Sequence, residues 1–304
     1  MKLSVKIALY LILSVVIDRA LGYFISTNVQ AYQYDNRIEK IINKQIDAKT
    51  VVIGSSRALI DVDACLLSDK LNRKVYNLGF SGSTVDFHLF VLQLLENTKQ
   101  FPDTCLLVLD ERKTFTGSES AFFRTDFLMP YISDDFVYQK VCEKDKSVYP
   151  VGLASSTYRQ NNNTINALTY LVRGQLPPDN TSDINSCGSV LISEQSPNFK
   201  PTEEGSMKLY DADEENLVFI DAFNEIQKIC QKHHSTLLLI YPPNFAIPNP
   251  DFKTRVRELT HISATEIQLD TLHFKPDYFY DHGHLQKKGS IEFTNKLANQ
   301  ILQL

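Results

Sequence analysis

The sequence predicts an α/β fold built on a parallel sheet. Two observations carry this: short β-branched or leucine-rich runs alternate with amphipathic stretches of helical period, and turn or breaker residues close the runs. Thr50-Val51-Val52-Ile53-Gly54 reads as a first strand, apolar throughout as a strand buried on both faces should be. Lys74-Val75-Tyr76-Asn77-Leu78 reads as the second strand and Cys105-Leu106-Leu107-Val108-Leu109-Asp110 as the third. Helical patterns over residues 63–71 and 84–99 separate them. Thr236-Leu237-Leu238-Leu239-Ile240-Tyr241 is a fourth strand, preceded by a helix over 215–232 and closed by Pro242-Pro243, which cannot continue a ladder. A last helix is expected over 291–302, and no fixed-period repeat is visible.

The 304 residues suffice for one large α/β domain or two small ones. Hydrophobic residues at 43% and charged residues at 22% exclude global disorder, a collagen-like repeat and a multi-span membrane protein. The charge balance, 31 − 36 = −5, supplies no basic surface for a phosphate backbone, so nucleic acid is not expected as a partner. The five cysteines form no C-x-x-C pair, which signals neither zinc nor a thioredoxin-type redox site. Cys65, Cys105 and Cys230 sit in apolar, periodic surroundings, whereas Cys142 and Cys187 lie in a polar middle segment. Whether those last two pair in an oxidising compartment stays open. The sequons at Asn162 and Asn180 matter only in a eukaryotic secretory setting, which nothing else supports.

Residues 1–25 read as a targeting segment. Lys2 and Lys6 precede an apolar run from Ile7 to Ile17, which resumes at Ala20 after Asp18-Arg19. A transmembrane span from Leu3 to Ile25 is feasible if the two charges pair or snorkel. Ala20-x-Gly22 offers a small-residue cleavage site, but charges so close before it are unfavourable, and the reading leans toward an uncleaved signal-anchor. The lysines then keep the N-terminus cytoplasmic and place the rest on the extracytoplasmic side, periplasmic or cell-surface, with a cleaved secreted form as the alternative. A polar linker follows over 26–49, and residues 50–304 form the α/β domain. Within it, residues 112–213 lose the alternating pattern and read as an insertion that builds a lid or binding surface.

The chemistry lies at the two ends of the α/β region. The first strand runs into Gly54-Ser55-Ser56-Arg57-Ala58, which holds a serine on a tight turn at the carboxyl edge of the sheet, where open α/β folds bind ligands. Gly-Ser-Ser is also ordinary turn chemistry. Near the C-terminus, Tyr280-Asp281-His282-Gly283-His284-Leu285 places Asp281 three residues before His284, so that its carboxylate can fold back onto the imidazole and set the tautomer. A solvated loop is the bland alternative. A metal site is another, because His282, His284, Asp281 and nearby His273 have a ligand-like composition; it lacks clear further ligands, and no metal is expected.

The combination of Gly-Ser-Ser-Arg after the first strand, Asn77-Leu78-Gly79-Phe80-Ser81-Gly82-Ser83-Thr84 after the second, and Asp281-x-x-His284-Leu285-x-x-x-Gly289 resembles the SGNH/GDSL hydrolase family, in a membrane-anchored bacterial branch. The likeness covers residues 50–110 and 217–304. It implies a flavodoxin-like three-layer sandwich with a central parallel sheet. It implies Ser56 as nucleophile, with Ser55 as runner-up, His284 and Asp281 as the rest of a catalytic triad, Gly82 in the oxyanion hole, and no cofactor. The expected activity is that of a serine esterase removing an acyl group, acetyl above all, from a carbohydrate or other cell-envelope substrate, through an acyl-enzyme. The membrane, through the N-terminal helix, is the other expected partner. An O-acyltransferase acting on a cell-surface glycan and a non-catalytic glycan-binding or assembly protein on the same fold are the alternatives.

The sequence departs from the family at one point. Members usually carry Gly-x-Asn-Asp after the third strand, with the Asn as an oxyanion donor, but here Asp110-Glu111-Arg112-Lys113 stands there. Losing such a donor can cost on the order of 10²–10³ in rate. The ordinary α/β-hydrolase pattern is disfavoured, because Gly54-x-Ser56-x-Ala58 lacks the second elbow glycine and the acid lies only three residues before the histidine. His233-His234 reads as a helix C-terminal cap, and His88 as a face residue of an amphipathic helix. Phe122, Phe123, Phe127, Tyr131, Phe136 and Tyr138 read as packing for the insertion rather than as a pocket lining.

Overall fold

A computed structural model of the chain describes residues 2–27, 35–117, 123–144, 151–152, 154–160, 165, 168–169, 172–173, 184–200, 210–245, 250–261, 264–267 and 275–304. The chain divides into two compact units, Met1–Glu39 with Arg124–Ser182 and Lys40–Phe123 with Asp183–Leu304.

The larger unit is an α/β fold around a five-stranded parallel sheet. In chain order it contains β1 (Thr50–Gly54), α1 (Ser56–Asp61), α2 (Ala64–Leu71), β2 (Val75–Gly79), α3 (Val85–Asn97), β3 (Thr104–Val108), α4 (Leu217–Lys232), β4 (Thr236–Ile240), α5 (Pro250–Leu259), β5 (Thr265–Ile267) and α6 (Lys287–Ile301). The strand order is β2-β1-β3-β4-β5, and every pairing is parallel. This is the flavodoxin-type order, in which the chain leaves β1 toward one side of the sheet and returns to β3 on the other. Strands β1 and β3 are buried along their whole length, which their continuous apolar sequences require.

Side-chain alternation sorts the strand residues onto two faces. Val52, Leu106, Leu238 and Ile240 join Ala58 of α1, Val62 just after it, Leu67 of α2, and Phe293 and Leu297 of α6 in one core. On the other face α3 and α4 pack on each other, and on β1 and β4 respectively. Among the elements that escaped the sequence reading is β5, whose three residues are too few to show a period, and with it α5, which precedes β5 in the chain.

Residues 184–190 lie along the outer edge of β2. The Asn77 N–H donates to Cys187 O at 2.8 Å, and a Cβ on Gly188, whose φ is +88°, would fall 2.3 Å from Asn77 O. This docking brings Cys187 to the start of α2, where it forms a disulfide with Cys65. The partner of Cys187 is therefore not Cys142, which is free. Periodicity around Cys65 could not reveal this, because the bond depends on where a distant loop is laid. Cys105 and Cys230 are free and buried.

In the smaller unit a helix of 25 residues, Leu3–Thr27, is long and apolar enough to cross a membrane, at about 1.5 Å per residue. The two charges that interrupt it are engaged. Asp18 accepts from the Ser156 and Thr157 N–H groups at 2.6 and 3.2 Å and from the Ser155 hydroxyl at 2.7 Å, at the start of helix Ser156–Gln160. Arg19 donates to Ser156 Oγ at 2.6 Å and Ala154 O at 3.1 Å. One turn on, a Cβ at Gly22 would meet Ser156 Cβ at 2.3 Å, so the two helices touch there through a glycine. Phe127 packs under the Arg124 guanidinium, with 4.0 Å to the ring centroid. Both sequons and Phe122 lie outside the described residues.

The disulfide spans 122 residues, so closing that loop in the unfolded chain should contribute about 2–4 kcal/mol. Cys187→Ser should lower the unfolding free energy of the purified protein by that amount, read as a fall in the denaturant midpoint. A reductant should then shift the wild type down to the variant and leave the variant where it is.

Candidate active site

The loops after β1, β2 and β3 open on one edge of the sheet and line a cavity of about 500 Å³ with Ser55, Ser56, Gly82, Ser83, His88 and Asp110 among its walls. That is the carboxyl edge, beside the point where the strand order reverses. Gly54 ends β1 at φ +153°, and a Cβ there would lie 2.8 Å from Ala58 Cβ and 2.9 Å from Val108 O, so only glycine lets the chain turn into α1 this close to β3. Gly82, at φ +69°, makes the corresponding turn after β2.

The two adjacent serines face different partners. Ser55 is the N-cap of α1, its Oγ accepting from the Arg57 N–H at 3.3 Å and donating to Asp110 Oδ2 at 3.1 Å. Ser56 is the first residue of the helix, and its Oγ lies 2.8 Å from His284 Nε2 although 228 residues separate them. His284 Nδ1 lies 3.0 Å from each Asp281 carboxylate oxygen. Asp281 Oδ1 also accepts the Gly283 and His284 N–H groups at 2.8 Å, which folds the loop back on itself. With Nδ1–H given to Asp281, Nε2 is left as an acceptor for the serine hydroxyl.

Electrostatics follow this geometry. Burial pushes the His284 imidazole down, but the Asp281 hydrogen bond and the charges of Asp61 and Asp281 outweigh it and hold the group above its ordinary value of 6.5. For Asp281 burial acts upward, and the bond and charge of His284, joined by the two backbone N–H groups, bring the carboxyl below its ordinary value. His282 has another role. Its ring packs edge-on against Phe199 and Phe245 with centroids 5.0 and 5.9 Å apart, and its carbonyl accepts the Phe245 N–H. His273 lies outside the described residues.

Several cavity residues were not picked out from the sequence. His88, read as a face residue of its helix, is buried, and its Nε2 lies 2.9 Å from Ser83 Oγ. Burial drives its imidazole down to about 4 against the charges of Asp86 and Asp110, so it is neutral near pH 7. Asp110 stands just past β3, bound to Ser55; its own N–H donates to Thr114 Oγ1 at 2.9 Å. Thr114, Thr116, Lys113 and Glu214 complete the wall. Buried neighbours were the missing signal for His88, since its helix is apolar on more than one face. Of the aromatics assigned to packing, Phe123 is buried edge-on to Phe87 at 5.6 Å and Phe90 at 6.1 Å. His233 is the C-cap of α4, stacked on Phe101 at 4.3 Å and 2.6 Å from Glu96 Oε1.

No family model matches the chain, and no curated protein matches it. Among solved structures, an acetyl xylan esterase from the rumen bacterium Butyrivibrio proteoclasticus is similar at a TM-score of 0.38 and 12% identity, over 84% of this chain and 64% of that one. The chain thus spans less than two thirds of that protein's length.

Because His88 stays neutral when folded but protonates in the unfolded chain, the unfolded state binds the extra proton as pH falls from 6.5 toward 4, and stability declines across that window. The cost approaches on the order of 3 kcal/mol at its lower end. Asp61, raised to about 6, acts with the opposite sign between pH 4 and 6, so the wild-type curve alone does not isolate His88. Subtracting the stability of His88→Gln from that of wild type, by denaturant titration at several pH values, should give a difference that falls with pH over 6.5 to 4.

Proposed function

We propose that this protein is a serine esterase of SGNH type that removes a short acyl group, acetyl first, from a carbohydrate or other cell-envelope ester. The observation that carries the reading is the continuous chain from Ser56 Oγ to His284 Nε2 at 2.8 Å and from His284 Nδ1 to Asp281 at 3.0 Å, opening on a cavity. Ser56 Oγ attacks the ester carbonyl while His284 takes its proton. Asp281 holds the imidazolium. His284 then protonates the departing alcohol, and a water activated by the same imidazole releases the acid. The backbone N–H groups of Ser56 and Gly82 take the oxyanion.

Serine and threonine side chains, Ser55, Ser83, Thr84, Thr114 and Thr116, border the cavity beside Ser56, which suits an ester of a hydroxylated alcohol. The N-terminal apolar helix and the Cys65–Cys187 disulfide support a domain held at a membrane on its oxidising side.

Full-length protein in detergent should hydrolyse an aryl acetate, and Ser56→Ala should reduce kcat/KM by at least about 10³-fold, whereas Ser55→Ala retains activity. Wild-type turnover by Ser56→Ala would remove the reading. Since His284 must be neutral to accept a proton and its pKa is raised, kcat/KM should rise with pH through a midpoint above 6.5.

A further inference from the structure

The helix that begins with Ser56 ends at Asp61, and Asp61 is a second point at which that helix grips the histidine loop. Its side chain is fully buried; Oδ1 accepts the Leu285 N–H at 2.7 Å, and Oδ2 lies 3.2 Å from Arg57 Nε. Arg57, also buried, donates from Nη2 to Pro243 O at 2.5 Å, in the chain that leaves β4. A six-residue helix therefore meets the base from both ends, through Ser56 to the imidazole and through Asp61 to the backbone of the next residue.

A buried ion pair is an expensive way to gain stability, since apolar groups of the same volume often serve as well. Apolar groups could not, however, accept the Leu285 N–H or place a negative charge near His284. The charged groups acting on the imidazole are Asp281 from its own loop, and Asp61 and Arg57 from α1, with Arg57 opposing the two carboxylates. Those acting on Asp61 are Arg57 and His284.

We infer that Asp61 is a positioning residue for His284: its carboxylate fixes the loop over Ser56 and supports the imidazolium that forms when the serine proton moves to Nε2. The inference rests on the esterase reading for its catalytic meaning. The hold on His284 can be measured without it.

Asp61→Asn keeps the shape and an acceptor for Leu285 while removing the charge. In full-length protein, kcat/KM for an aryl acetate should fall on the order of ten-fold or more with KM little changed, and the acid limb of the pH profile should move to lower pH. In the inactive Ser56→Ala background, NMR titration of the His284 ring should show its pKa lowered by adding Asp61→Asn; an unchanged pKa overturns the inference. If no ester is turned over by wild type while that shift is seen, the esterase reading fails and the positioning by Asp61 stands. In unsubstituted protein the Leu285 amide should exchange with solvent far more slowly than exposed loop amides. Exchange at the exposed-loop rate overturns the inference, whether or not the variant folds.

Discussion

The hydrogen bond between Ser56 and His284 joins positions 228 residues apart, and the surrounding architecture is what makes that contact available. A parallel sheet sends the carboxyl ends of all its strands to one edge, and the reversal of strand order at β1 and β3 leaves a crevice there. The loop carrying His284 does not follow a strand end directly. It reaches the crevice because α6 packs beside α1 and α2, and the short bridge between Phe279 and Leu285 pinches the loop just ahead of that helix. Among the hydrogen bonds that then set it are those to Asp281 from within and to Asp61 from the serine helix.

Holding these loops places many polar groups in the interior, where each one must be satisfied or it costs free energy. Asn77 shows how the requirement is met. Its Nδ2 donates to Ala58 O and Val62 O at 2.6 and 3.1 Å and reaches Ser189 Oγ at 3.1 Å, while its Oδ1 accepts the Gly79 N–H at 2.8 Å. One side chain thereby ties β2, the serine helix and the 184–190 segment together. Ser189 Oγ in turn donates to Val62 O and accepts the Ala64 N–H. Such a network resists small displacements, because moving one member leaves several others unpaired. The serine helix is thus braced from the sheet side as well as from the histidine loop.

The same accounting applies to the apolar N-terminal helix. Asp18 and Arg19 would be costly within a run of aliphatic residues, yet the backbone and hydroxyl groups of 154–157 satisfy both. An interruption that weakens the helix as a plain span makes it a specific partner for a segment more than 130 residues away.

Local rules carried a large part of the fold. Continuous apolar runs such as Val51-Val52-Ile53 and Leu237-Leu238-Leu239 marked strands buried on both faces, and their alternation with helical patterns required a parallel sheet. Gly54-Ser55-Ser56 and the Asp281–His284 spacing were legible for the same reason: a turn, a cap and a three-residue fold-back are each decided by neighbours in the chain. Much of what depended on distant neighbours was not legible. The burial of His88, the choice of Cys65 as partner for Cys187, and the acceptance of the Leu285 N–H by Asp61 all arise where segments far apart in sequence are laid side by side. Arg57 and Asp61 illustrate the limit, since at i and i+4 on a helix they read as an ordinary surface pair, and only the packing of β4 and the histidine loop around them makes the pair a buried clamp. The sequence by itself determined which residues could turn, cap and alternate; the tertiary structure decided which of them would be desolvated together, because burial is a property of the assembled layers and not of any stretch of chain.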